Sequence, residues 1–165
     1  MVQAVLADAG LDGAQVDELI AANALGAGGN PARRVALAAG LPERVAGLSI
    51  DRPCVGGLDA ILLAAALVDS GMVRVVVAGG VESYSRRPLR LATDPDGGAP
   101  VAYDQPPFTP WPERDPEMTE AAAKLAARLG ITRDAQDDWA EESQRQAQAD
   151  PPDAELVPLA GGSGD

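Results

Sequence analysis

Residues 51–78, DRPCVGGLDAILLAAALVDSGMVRVVVA, decide how this chain folds. In the middle, 57–68, Leu58, Ile61, Leu62, Ala65 and Leu67 cover most of a helical circumference, which predicts a buried helix. Gly71 stands where a helix-terminating glycine belongs. The end, VRVVVA at 73–78, is β-branched and nearly continuous, the pattern of a strand covered on both faces. A preceding strand is predicted at 45–51, just before Pro53. Strand, helix and strand across about 30 residues make a βαβ unit with a parallel pair. The only cysteine, Cys54, falls at the strand-to-helix turn, with Gly56 and Gly57 close behind it.

On the N-terminal side the same logic continues. Val2, Val5 and Leu6 make a helical stripe stopped at Gly10, and 16–22 reads as a short strand. Asn30 followed by Pro31 is an N-cap and first-turn proline, so a helix is expected over 31–39, closed by Gly40. On the C-terminal side, 85–116 is a Pro-rich excursion without sustained periodicity. Two helices are predicted after it. One covers 117–129 and ends at Gly130. The next opens at Thr132 as N-cap, with a buried stripe of Ala135, Trp139, Ser143 and Ala147. ELVPL at 155–159 reads as a last edge strand, and 160–165 as a flexible tail. The fold class is therefore α/β with a mainly parallel sheet, in one domain over 1–165.

Composition narrows function. With 46% hydrophobic but only 3% aromatic residues, the core must be built from Ala, Val and Leu. The net charge of −12 repels nucleic acid and anionic membrane, and no run reaches the ~18 apolar residues of a membrane span. One cysteine leaves no internal disulfide and fits a reducing compartment, so a cytoplasmic protein is expected. The chain has no histidine, which removes that residue as base, acid or metal ligand; no metal site is expected.

At a helix N-terminus, exposed N–H groups and the positive end of the dipole stabilise a thiolate and can hold a developing oxyanion. Gly56 and Gly57 leave room for an acyl group. Topology alone leaves two readings of Cys54 level, a buried structural thiol and a nucleophile.

Four stretches, in order, resemble the N-terminal half of the thiolase family. These are VDELIAANALGAGGNPARRVALAAGLP (16–42), SIDRPCVGGLDAI (49–61), VVVAGGVESYSRRP (75–88) and MTEAAAKLAARLGITRDAQDDWAEESQRQA (118–147). The resemblance implies a layered α/β/α half with a mixed, mainly parallel sheet, one of two similar halves and lacking the first strand. It also implies an acyltransferase of lipid metabolism in which Cys54 accepts an acyl group from acyl-CoA, for C–C bond formation or thiolytic cleavage. Met118, Gly56 and Gly57 then fall at substrate-binding positions, and Glu82 and Ser83 are structural residues near the site, capping the turn after the strand. Coenzyme A thioester is the substrate, with no further cofactor. The expected partners are a thiolase C-terminal-half polypeptide and a second copy, joined through the strand before Cys54. Alone, the chain is expected to be inactive.

Three departures from the family pattern stand out. Asp51 replaces the usual Asn and would oppose a thiolate if it faced the sulfur. Val55 is bulkier than the residue usually beside the acyl site. Glu117-Met118 stands where a His-Met pair is common, so an acid replaces a ring able to carry positive charge. These departures, with the missing histidine, motivate the alternative of a non-catalytic interaction or assembly subunit. Arg86 and Arg87 are expected to be a solvated loop pair, and Trp139 and Phe108 to pack locally.

Overall fold

The computed structural model describes residues 1–26, 29–149 and 156–157. The chain divides into two compact units, Met1–Leu91 and Ala92–Asp165.

The first unit is built on three parallel strands, β1 (Glu18–Ala22), β2 (Ala46–Ile50) and β3 (Val76–Gly80), in the order β2-β1-β3. Glu18 pairs with Ala46 on one side and Val76 on the other, and the register runs unbroken to Ala22. Alternation along β1 sorts its side chains between two layers. Leu19 and Ala21 join Leu6 of α1 (Val2–Asp8) and Ala32 and Ala36 of α2 (Pro31–Ala38) on one face. Ile20 joins Ala60 and Ala64 of α3 (Gly56–Asp69) on the other. As the central strand, β1 is buried from Leu19 to Ala22.

Small residues set these layers close together. A Cβ on Gly47 would stand 2.5 Å from the Arg33 backbone nitrogen, so α2 lies directly on β2 only because that position is glycine. Asn30 fixes the entry to α2: its Oδ1 accepts the Arg33 N–H at 3.0 Å and its Nδ2 donates to the Gly47 carbonyl at 2.7 Å.

Two expectations for this unit need correction. α3 is not buried around its circumference; only Gly56, Ala60 and Ala64 are buried, while Leu58, Ile61 and Leu62 are each more than half exposed. The face against the sheet is the stripe of small residues at i, i+4 and i+8, and among the described residues nothing covers the larger ones. β3 begins at Val76 instead of Val73 and is half-buried. The Arg74 and Val75 N–H groups are taken by the Asp17 carboxylate at 2.8 and 3.1 Å, so pairing starts after them. As an edge strand, β3 is covered less than β1.

The short strand β4 (Arg90–Ala92) spans the boundary between the units. The second unit contains the short strand β5 (Val101–Tyr103), α4 (Met118–Leu129) and α5 (Arg133–Ala149). The Pro-rich region thus carries short extended pieces that its irregular pattern did not reveal. Glu117 caps α4, accepting the Glu120 N–H at 2.9 Å, and Gly130 ends it in the left-handed conformation at φ 69°. The Ile131 N–H reaches the Ala126 carbonyl and the Gly130 N–H the Ala127 carbonyl, a Schellman closure. Thr132 caps α5 through the Ala135 N–H. The predicted buried stripe of α5 is exposed, with Trp139 81% accessible, and Phe108 is likewise exposed rather than packed. Burying them requires a surface that the described residues of this unit do not supply. The 155–159 strand and the 160–165 tail lie outside the described residues, except Leu156 and Val157, which carry no strand.

Candidate functional site

Cys54 sits between β2 and α3 in a turn closed by two backbone bonds, Val55 N–H to the Pro53 carbonyl and Gly56 N–H to the Arg52 carbonyl, both 2.9 Å. To pass from strand to helix so abruptly the chain takes φ 69° at Cys54, the only positive φ at a described non-glycine residue. A left-handed conformation at a residue with a Cβ costs roughly 1–2 kcal/mol. The strained turn leaves Cys54 exposed in this chain, not buried among its described residues.

The first turn of α3 follows immediately. By position, the Gly57 and Leu58 N–H groups have no intrahelical acceptor, and the dipole of a helix this long favours an anion at this end. Asp59, in the same turn, works against that. Its Oδ2 lies 2.8 Å from Arg52 Nη1, an ion contact by distance without hydrogen-bond geometry, so Arg52 offsets the acid in this turn.

A cleft of about 360 Å³ opens over Cys54 at the carboxyl ends of the parallel strands, where α/β sheets bind ligands. Its walls are residues 22–24 at the end of β1, residues 80–82 at the end of β3, Arg52 and Cys54 of the turn, and Gly56 and Gly57 at the start of α3. Gly56 is a close approach, since a Cβ there would stand 2.7 Å from the Ala22 Cβ, while Gly57 lies beside the Gly80 backbone with room for ordinary contact. A larger cleft of about 480 Å³ runs between α1 and α3 along β3, but its lining is almost wholly apolar and carries no nucleophile.

The structure therefore brings Cys54, Gly56, Gly57 and Glu82 together. Ser83 is exposed and outside the cleft, and its side chain makes no cap bond to the turn after it. Glu82 does not cap that turn either; it reaches back to the end of β1. Its Oε1 accepts Asn23 Nδ2 at 2.8 Å, and its Oε2 accepts the Ala24 and Leu25 N–H groups, both at 2.9 Å. Met118 opens α4 in the second unit, exposed, in a small cleft of about 280 Å³ with Phe108 and Asp115.

Of the departures, Asp51 and Val55 are exposed and are not among the residues lining the cleft. Glu117 serves as a helix cap, and the Thr119 hydroxyl and the Glu120 N–H hold its carboxyl below the ordinary value. Of the arginine pair, Arg87 is engaged, its guanidinium 3.8 Å above the Tyr84 ring. Sequence reasoning missed Asn23, Arg52 and Arg90, whose Nη2 donates to the Leu25 carbonyl at 3.1 Å. The available signal for Asn23 and Arg52 was that each follows the end of a parallel strand within two residues; Arg90, which opens β4, carried no such signal.

Comparison with known proteins identifies the family. Residues 1–163 match the family model described as "Thiolase, N-terminal domain". "Putative acetyl-CoA C-acetyltransferase VraB" of Staphylococcus epidermidis is 39% identical over 135 residues, covering 80% of this chain and 35% of that protein. "Putative acetyl-CoA C-acetyltransferase YhfS" of Bacillus subtilis is 42% identical over 126 residues, covering 76% and 31%. The crystal structure of the Bacillus anthracis acetyl-CoA acetyltransferase superposes with a TM-score of 0.79 at 32% identity, over 96% of this chain and 43% of that one. That of the Ascaris suum Acat5 thiolase in complex with coenzyme A gives 0.76 at 26% identity, over 98% and 44%. The chain thus spans about a third of the length of these curated relatives. On its fold and its matched length, this chain belongs to the thiolase family, corresponding to the N-terminal domain.

Proposed function

We propose that Cys54 is the acyl-accepting nucleophile of a thiolase-type acyl transfer. The observation that carries this is its placement: an exposed thiol on a left-handed turn, at the N-terminus of α3, in a cleft with two side-chain-free positions. The thiolate attacks the carbonyl carbon of an acyl-CoA, the C–S bond to coenzyme A breaks, and coenzyme A leaves as the thiol on taking the proton that Cys54 gave up to its acceptor. The acyl group is then held as a thioester on Cys54 for condensation, or the reverse cleavage runs. N–H groups of the first turn of α3 are placed to take the negative charge that develops on the carbonyl oxygen. Gly57, where an added Cβ would meet only the Gly80 backbone at ordinary contact, leaves the acyl group room, while the bare Gly56 lets α3 seat on Ala22 beside the cleft.

With no histidine in these 165 residues, the proton acceptor for Cys54 comes from elsewhere, and a thiolase C-terminal half is the group we assign. General acid–base assistance of that kind is worth about 10²–10⁴ in rate, so the chain alone is expected to be nearly inactive. β2 lies at an edge of the sheet, which supports homodimer formation through that strand. The free thiol fits a reducing compartment such as the cytoplasm. Among the described residues no helix is long and apolar enough to cross a membrane.

Complementation tests this reading. Mixed with a thiolase C-terminal half, the wild-type chain should restore thiolysis of acetoacetyl-CoA and Cys54→Ala should not. The missing histidine also favours a second reading, a non-catalytic assembly subunit. Equal activity with Cys54→Ala would establish that reading and remove the first.

A further inference from the structure

The strongest unassigned feature is the bond set around Glu82. Its carboxylate accepts three N–H groups from residues 23–25, across 57 or more positions of sequence. The same Asn23 Nδ2 also donates to the Val81 carbonyl at 2.9 Å. Two backbone bonds complete the tie, Val81 N–H to the Ala22 carbonyl and Asn23 N–H to the Ile50 carbonyl, both 3.0 Å. The ends of all three strands are thereby joined at Asn23.

This knot lies directly under the nucleophile's helix. Ala22, immediately before Asn23, is the residue that Gly56 approaches, and Gly80, two positions before Glu82, is the one Gly57 approaches. With no side chain on either glycine, nothing cushions α3 from a shift of the strand ends. The Asn23 amide is also held one way round. Its NH₂ is committed to Val81 and Glu82, which turns Oδ1 away from β3. That oxygen is buried and has no donor among the described residues. Burying an unpaired acceptor costs roughly 1–3 kcal/mol, so an amide free to reorient would not keep this pose.

We propose that Glu82 is a positioning residue for Cys54, acting through Asn23: it locks the strand ends into the seat on which the first turn of α3 rests. The proposal builds on Cys54 as the acyl acceptor and adds the group that holds its helix in place. Glu82→Gln breaks the arrangement in a specific way. An amide cannot accept from Ala24 and Leu25 with one end and from Asn23 with the other, so its NH₂ faces the Asn23 NH₂ or the backbone donors. In the first pose Asn23 loses its side-chain acceptor, in the second the Ala24 and Leu25 N–H groups lose theirs, and either way the tie between residues 23–25 and position 82 is broken. Asn23→Ala removes the same link from the other side while leaving the Glu82 charge in place.

Cys54 is the sole cysteine, so the alkylation rate with iodoacetamide reads its environment without reference to acyl transfer. The two mechanisms open to Glu82 have opposite signs. A carboxylate acting by charge opposes the thiolate, so neutralising it would speed alkylation. A positioning residue predicts slower alkylation, by about threefold or more, in both Glu82→Gln and Asn23→Ala, because Cys54 is then no longer held exposed on its left-handed turn at the start of α3. The double variant should be no slower than the slower single one, as expected for residues in one network. Acceleration or no change in Glu82→Gln, or slowing in that variant with none in Asn23→Ala, overturns the proposal. Hydrogen exchange of the wild-type chain needs no variant. The Ala24 and Leu25 amides should be protected like strand residues, and exchange at open-loop rates overturns the clamp outright. Acetylation of wild-type Cys54 by acetyl-CoA with a C-terminal half, run alongside, separates the two claims. If alkylation responds as stated and acetylation never occurs, the positioning holds and the acyl-acceptor reading fails.

Discussion

Gly56 and Gly57 are neighbours in the cleft, yet adding a methyl group to each should have opposite consequences. A Cβ on Gly56 would lie 2.7 Å from the Ala22 Cβ, about 1 Å inside ordinary carbon contact. Neither partner can yield by rotating, since Ala22 has no further side chain and ends the buried strand β1. Relief requires α3 to move off the sheet, an overpacking cost of about 1–3 kcal/mol. The better helix propensity of alanine returns at most about 1 kcal/mol. Gly56→Ala should therefore lose about 1–2 kcal/mol. At Gly57 the nearest atoms would be the Gly80 nitrogen at 3.7 Å and its Cα at 3.9 Å, ordinary contact. Gly57→Ala should be neutral or stabilising by up to about 1 kcal/mol. Urea denaturation followed by far-UV circular dichroism checks both, through midpoints at unchanged slope. Gly56→Ala as stable as wild type, or Gly57→Ala equally destabilised, would refute this packing of α3 on the sheet.

Further outcomes follow from single residues. The Arg74 and Val75 N–H groups depress the Asp17 carboxyl below its ordinary 3.8, so its contribution is present above that pH and is lost as pH falls through the folded-state value. Asp17→Asn should flatten this acid-side loss in a stability-versus-pH series, and an identical slope would count against the bond pair. Because Cys54 is held at φ 69°, Cys54→Gly should be more stable than Cys54→Ala by about 1 kcal/mol, read as a higher Tm. Glu117→Ala should speed hydrogen exchange of the Glu120 amide, whose acceptor it removes, with little change at the Gly130 end of α4.

The βαβ unit was legible because its signals are local: a β-branched run, an apolar helix of the right length and glycines at its ends. The caps at Asn30, Thr132 and Gly130 were legible for the same reason, since each lies within a few residues of the groups it serves. Cys54 could be placed at a strand-to-helix turn, but not its positive φ, which depends on how sharply β2 meets α3. The Glu82 clamp was out of reach, because its partners are far away in sequence and come together only when β1 and β3 pair in register. Apolar patterning also overstated burial. It marks the larger residues of α3 and Trp139 of α5 as buried, but a pattern does not supply the surface that would cover them.

The central claim is that Cys54 carries the acyl group, and intact-protein mass spectrometry tests it most directly. The wild-type chain should be incubated with acetyl-CoA and a thiolase C-terminal half, quenched in acid and mapped by peptide. A single acetyl group on the peptide containing Cys54, absent from Cys54→Ala and discharged by added coenzyme A, is the expected result. An unmodified Cys54 in a complex that is nonetheless active, or acetylation that persists in Cys54→Ala, would contradict it.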